Sequence, residues 1–144
     1  MILADEQATA ELGFRLAKRL KAGDVVTLSG PLGVGKTALA RSIIQGLGYE
    51  GEVPSPSFAI VQSYEDLDPP VWHVDLYRLE DRSEMEELGL DSLAAAALIV
   101  EWPERAGPGA WPEALRLALS FGRDGARILT ADVPPSWQGR WPPE

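Results

Sequence analysis

A chain of 144 residues is the usual size of a single domain built on one hydrophobic core. With 22 acidic residues against 13 Lys plus Arg the net charge is −9, which disfavours direct tight binding to a nucleic-acid backbone. The absence of cysteine excludes a disulfide framework and a thiolate metal site, while the opening Met1-Ile-Leu-Ala-Asp-Glu6 lacks the features of a signal peptide and the longest apolar run, Leu93 to Val100, is too short to span a bilayer, so a cytosolic location with no membrane partner is expected.

Strand-like and helix-like segments alternate along the chain, the pattern of an α/β sheet. The first helix is expected from Glu6 to Leu20, where Leu12, Leu16 and Leu20 recur every four residues and Glu11, Arg15, Lys18 and Arg19 take the solvent side. Gly23-Asp24 turns the chain. Val25 to Leu28 is a short, mostly β-branched and apolar run, as in a strand buried on both faces, and it feeds a glycine-rich loop. Ala38 to Leu47 continues as a helix that Gly48 is suited to cap.

Beyond the proline-punctuated Val53-Pro-Ser-Pro-Ser57, strands are expected from Phe58 to Tyr64 and from Val71 to Tyr77, with Pro69-Pro70 between them. Alternation in the second puts Val71, His73 and Asp75 on one face and Trp72, Val74 and Leu76 on the other. Ser83 and Glu86 have the spacing of a capping box that opens a short helix. The apolar strand Ala97 to Val100 ends at Glu101. Leu115 to Phe121 and Ala126 to Asp132, split by Gly-Arg-Asp-Gly, read as a β-hairpin that closes the sheet. A domain over residues 1–132 leaves a Pro/Trp-rich tail, 133–144, that either is disordered or packs by its tryptophans.

The loop Gly30-Pro-Leu-Gly-Val-Gly-Lys-Thr37 satisfies G-x-x-x-x-G-K-[ST], a P-loop, at every specified position, between an expected strand and an expected helix. Glycines let successive N–H groups curl inward around a phosphate, and the helix that starts there adds its positive end. Gly30, Gly33, Val34, Gly35, Lys36, Thr37 and Ala38 are therefore the expected nucleotide cradle. Lys36 is expected to reach the β and γ phosphates, and the Thr37 hydroxyl to ligate Mg²⁺.

Such a loop needs a carboxylate at the end of a neighbouring strand. Glu101 follows Ala-Leu-Ile-Val and is expected to hold Mg²⁺ directly or through water. Asp75 is expected to orient the attacking water or to share the metal. Ser55 and Ser57 stand where a γ-phosphate-sensing loop would lie, although a rigid turn explains the prolines nearly as well. His73, the only histidine, reads as a hydrogen-bonded structural residue. Arg78, Arg82, Arg105 and Arg123 are equal candidates for a phosphate-facing charge.

Four segments, Leu28-Ser-Gly-Pro-Leu-Gly-Val-Gly-Lys-Thr37, Val53-Pro-Ser-Pro-Ser-Phe58, His73-Val-Asp-Leu-Tyr-Arg-Leu79 and Val100-Glu-Trp-Pro-Glu104, resemble in order and spacing the motifs of the TsaE (YjeE) family. That family comprises bacterial ATPases required for the threonylcarbamoyladenosine modification of tRNA. The resemblance implies a three-layer P-loop NTPase fold, with a mixed, largely parallel sheet flanked by helices, and ATP and Mg²⁺ as cofactors. It implies function for Lys36, Thr37, Glu101 as metal ligand and Asp75 as a required aspartate. By the same resemblance Trp102 lies beside the nucleotide, and Glu6 and Thr9 are weaker nucleotide contacts. Ser57 stands where the family has threonine; the hydroxyl survives.

The implied partners are TsaB and TsaD, with tRNA met only through that complex and ATP hydrolysis resetting it between cycles. Hydrolysis by the isolated chain is expected to be slow. A small P-loop kinase and a nucleotide-gated binding module with incidental hydrolysis are the alternatives. The chain contains no Asn, so the guanine-reading Asn-Lys-x-Asp of GTPases is excluded.

Overall fold

The computed structural model describes residues 1–54, 61–79, 84, 95–107 and 109–143. Ser55, Ser57, the beginning of the strand expected at Phe58, Arg82 and the capping box of Ser83 and Glu86 lie outside the described residues. The elements in chain order are β1 (Ile2–Leu3), α1 (Glu6–Ala17), β2 (Val25–Ser29), α2 (Lys36–Gly46), β3 (Val61–Tyr64), β4 (Val71–Asp75), β5 (Ala97–Glu101), β6 (Leu115–Phe121) and β7 (Arg127–Asp132). No helix among the described residues is long and apolar enough to cross a membrane.

The strands form one sheet in the order β1-β7-β6-β2-β5-β4-β3. Its centre is parallel: β2 pairs with β5 and β6, and β4 with β5. The outer pairs, β3 with β4, β6 with β7 and β1 with β7, are antiparallel. This is a mixed sheet of the P-loop NTPase kind; the expected C-terminal hairpin forms as β6 and β7, but it does not close the sheet, because β1 pairs with β7 and takes the edge. Asp124 and Gly125 at the hairpin tip both have positive φ (55° and 81°), as a type I′ turn requires. The two-residue strand β1 has no periodicity and escapes sequence reading.

Strand β5 is buried along its whole length, whereas β6 alternates buried Leu115, Leu117 and Leu119 with exposed Arg116, Ala118 and Ser120. Central parallel strands lose solvent on both faces, and strands nearer an edge keep one wet face. On one face Val26, Leu28, Ala97 and Ile99 join α1 and α2 in the main core. The opposite face carries a second cluster of Val74, Leu76, Leu79, Leu98 and Val100, against which Trp72, Trp102 and Trp111 pack. The expected alternation of β4 holds, with Val71 in the first cluster and Val74 in the second.

The helices approach each other closely because two glycines leave room. A Cβ at Gly13 of α1 would collide with Ser42 of α2, and one at Gly46 would sit 2.8 Å from the Cβ of Ala17. Helix α1 ends at Ala17 rather than at Leu20. Its last turn tightens through Arg19 N–H to Leu16 O (2.9 Å), and the Asp24 carboxylate takes the Lys21 N–H at 2.7 Å. Leu20 stays buried although it is not helical. Strand β4 stops at Asp75 rather than Tyr77, since the Asp75 side chain accepts the Tyr77 N–H at 2.9 Å and bends the chain away from the ladder.

The tail packs. Trp137, in a 3₁₀ turn over Pro135–Trp137, is fully buried in the main core, and the Arg140 guanidinium lies 4.0 Å over its ring. Arg140 also donates to both oxygens of Asp24, at 2.7 and 3.1 Å, and to the Arg19 carbonyl at 2.7 Å.

Candidate functional site

Three chain segments meet at the C-terminal ends of the parallel strands, where α/β sheets bind ligands. From β2 the chain enters the loop 30–35, where Gly30, Gly33 and Gly35 have φ of 141°, 77° and 111°. These values lie where a Cβ is penalised, so glycine is what lets the backbone make this bend before α2 begins at Lys36. The Lys36 ammonium donates to the carbonyls of Gly30 and of Pro31, the latter at 3.0 Å. Burial pushes its pKa below the ordinary value, against the opposing pull of the Glu101, Glu104 and Asp75 carboxylates.

Asp75 and Glu101 are register partners on adjacent parallel strands, so their side chains leave the sheet on the same side. Both are buried. The Thr37 hydroxyl, on the first turn of α2, donates to Glu101 Oε1 at 2.8 Å. Its proton is thus committed to the carboxylate, which leaves the oxygen lone pairs free for a cation. Burial raises the pKa of Asp75; the Tyr77 N–H bond opposes this and the Glu101 charge adds to it.

Trp102 completes the wall. It adopts a left-handed conformation (φ 59°, ψ 50°), uncommon outside glycine and costing roughly 1–2 kcal/mol. Pro103 disfavours the right-handed helical alternative at the residue before it. The result sets the indole 4.0 Å from the Lys36 ammonium and 4.9 Å from the Tyr77 ring. Leu32, Gly33, Gly35, Lys36, Thr37, Ala38, Asp75, Tyr77, Glu101 and Trp102 line one cleft of about 370 Å³.

A second, smaller recess of about 130 Å³ adjoins the loop on the side of α1; Glu6, Thr9, Gly33, Val34, Gly35 and Ala38 line it together with Asp5, Gly125 and Arg127. The expected positions from Gly33 to Ala38, with Asp75, Glu101, Trp102, Glu6 and Thr9, thus gather around one loop. Gly30 sits at its root, where a Cβ would collide with the Leu119 carbonyl. No arginine lines the larger cleft among the described residues. Arg105 lies 5.6 Å over the Tyr77 ring.

Two residues carry more than the sequence suggests. Arg127 donates to the Val34 carbonyl at 2.8 Å, tying the loop to β7, a contact across 93 residues that no local pattern announces. His73 is hydrogen-bonded, as expected of a structural histidine, but its partner is Glu101 Oε2 at 2.6 Å. Its position on the Asp75 face of β4 was the available signal.

Known proteins bear on this geometry. A profile of the threonylcarbamoyl adenosine biosynthesis protein TsaE family matches residues 3–128. A Streptomyces coelicolor protein named tRNA threonylcarbamoyladenosine biosynthesis protein TsaE is 53% identical over 98 residues, which cover 65% of this chain and 66% of that one. A Mycobacterium tuberculosis protein of the same name is 44% identical over 106 residues, 67% of this chain and 63% of its own length. The chain therefore spans just under two thirds of the length of these two relatives. The crystal structure of Bacillus subtilis YdiB superposes with a TM-score of 0.80 at 27% identity, covering 96% of this chain and 88% of that one.

Proposed function

The chain belongs to the TsaE family, and we propose that it is a magnesium-dependent ATP hydrolase acting with TsaB and TsaD in the threonylcarbamoyladenosine modification of adenosine 37 of tRNA. In this reading hydrolysis resets that assembly between cycles. The observation that carries it is the contact of Thr37 with Glu101 beside Lys36, at the mouth of a glycine loop. A hydroxyl and a carboxylate are hard oxygen donors that suit magnesium, which takes its remaining ligands from phosphate and water.

Each residue then has a task. The loop amides and Lys36 bind the β and γ phosphates, exchanging the carbonyl contacts of the ammonium for phosphate oxygens. Thr37 and Glu101 would hold the cation, which supplies charge neutralisation on the triphosphate when bound. Asp75, whose carboxyl burial holds above its ordinary pKa, holds the water that receives the γ-phosphoryl group. Trp102 and Tyr77 shield that chemistry from bulk water. The acidic surface leaves tRNA contact to the partners.

The test is to titrate the purified chain with ATP, with and without Mg²⁺, and to measure phosphate release with and without TsaB and TsaD. Magnesium-strengthened binding and partner-accelerated release support the reading. Transfer of labelled phosphate to a small molecule would assign a kinase instead, and a preference for GTP counts against it. If Glu101→Ala and Asp75→Ala lose hydrolysis yet sustain repeated rounds of modification, nucleotide-gated binding replaces it.

A further inference from the structure

The carboxylate of Glu101 is held from both sides. Oε1 accepts from Thr37 at 2.8 Å on the cleft side, and Oε2 meets His73 Nε2 at 2.6 Å on the core side. The second contact follows from strand register. His73 lies opposite Ile99 and Asp75 opposite Glu101, so His73 is the diagonal neighbour of Glu101 on the same face of two parallel strands, within reach of a long side chain. Both residues are essentially excluded from solvent.

Hydrogen-bond accounting assigns the tautomer. His73 Nδ1 is buried and has no hydrogen-bond partner among the described residues. A proton on that nitrogen would leave an orphan N–H and set a lone pair against a carboxylate oxygen, so the proton belongs on Nε2, where it is donated to Oε2. His73 is not itself among the residues that line the cleft, and it reaches the cleft only through Glu101. The only hydrogen bond of its side chain among the described residues is to Glu101.

From this geometry we propose that His73 is a positioning residue: by occupying Oε2 it locks the Glu101 side chain so that Oε1 is presented to Thr37 and to a divalent cation. The inference rests on the magnesium-dependent reading above and adds a residue to it. A carboxylate with three free torsions has many orientations to choose among, and a buried donor on its far oxygen removes most of them. A ligand oriented in this way from behind typically binds its metal ten- to a hundredfold more tightly than one left loose. The effect is confined to the cation, because His73 reaches the cleft only through Glu101.

The experiment measures ATP affinity calorimetrically, in excess Mg²⁺ and in EDTA, for the wild type and for His73→Leu, His73→Gln, Glu101→Ala and the Glu101→Ala/His73→Leu pair. His73→Leu is expected to lose about ten- to a hundredfold of the magnesium-dependent gain and to bind metal-free ATP within about twofold of the wild type. His73→Gln, whose amide N–H reaches toward the same place, is expected to restore most of the gain. The double variant is expected to behave as Glu101→Ala alone, since His73 acts only through that carboxylate.

An undiminished magnesium gain in His73→Leu overturns the proposal, as do additive losses in the double variant. If His73→Leu does not fold, His73→Gln still decides: a folded protein that falls as far as Glu101→Ala refutes the positioning role. A wild type without any magnesium gain would instead remove the functional reading beneath it, and the two failures are therefore distinguishable.

Discussion

Truncating Trp137 to alanine tests whether the C-terminal segment is part of the core. The indole is fully buried among core side chains, and removing a buried tryptophan typically costs about 3–5 kcal/mol through lost transfer energy and the cavity left behind. The Arg140 guanidinium loses its platform as well, and the Asp24 pair that it supports is itself mostly buried, with side chains 12% and 11% exposed. For a chain of this size each kcal/mol moves the melting temperature by roughly 3 °C, so Trp137→Ala is expected to melt about 9–15 °C lower. Scanning calorimetry and urea unfolding read the change, and an unaltered urea slope confirms that the same surface is exposed on unfolding. Trp137 lines neither cleft, so ATP affinity of the folded variant is expected to match the wild type. A melting temperature within about 3 °C of the wild type, less than about 1 kcal/mol, would refute the argument.

Asp75→Asn is expected to stabilise the metal-free protein at neutral pH while abolishing hydrolysis. Burial raises the native pKa of Asp75, so the native state binds this proton more tightly than the unfolded chain does. Above the native pKa the buried charge is a cost, and it fades as pH falls through that value. The advantage of Asn in thermal melts should therefore shrink toward acid; an advantage that grew toward acid would contradict the sign. Gly35→Ala has free space around its Cβ but is held at φ 111°, so its cost is backbone strain of about 1–2 kcal/mol. Urea unfolding should show that loss alongside weakened ATP binding, and no change in either would exclude strain at this turn. Arg127→Ala removes the tie to the Val34 carbonyl and is expected to weaken ATP binding about five- to tenfold, equally with magnesium and with EDTA. A loss seen only with magnesium would place Arg127 in the metal site.

Much of the site could be read from local pattern. The glycines of residues 30–35 are demanded by a conformation that neighbouring residues define among themselves, and the structure holds them at positive φ. The two-residue period of β4 put His73 and Asp75 on one face without reference to any other strand, and the apolar run of β5 pointed to Glu101 at its end. Helix and strand ends were less legible. Leu20 and Tyr77 looked like continuations of periodic runs, but the side chains of Asp24 and Asp75 offered the backbone competing hydrogen bonds.

Alternation within a strand says which way a side chain faces, not what it faces. Only the assembly of β4 beside β5, in the register that sets Asp75 against Glu101, brings His73 to a carboxylate 28 residues away. Only the β6–β7 hairpin, packed against β2, brings Arg127 to Val34, and only the closed core shows that Trp137 belongs inside it. Periodicity and turn chemistry are energies of near neighbours and are written into adjacent letters. Strand order and register are chosen by the burial of the whole sheet, so contacts that depend on them exist only once it has formed.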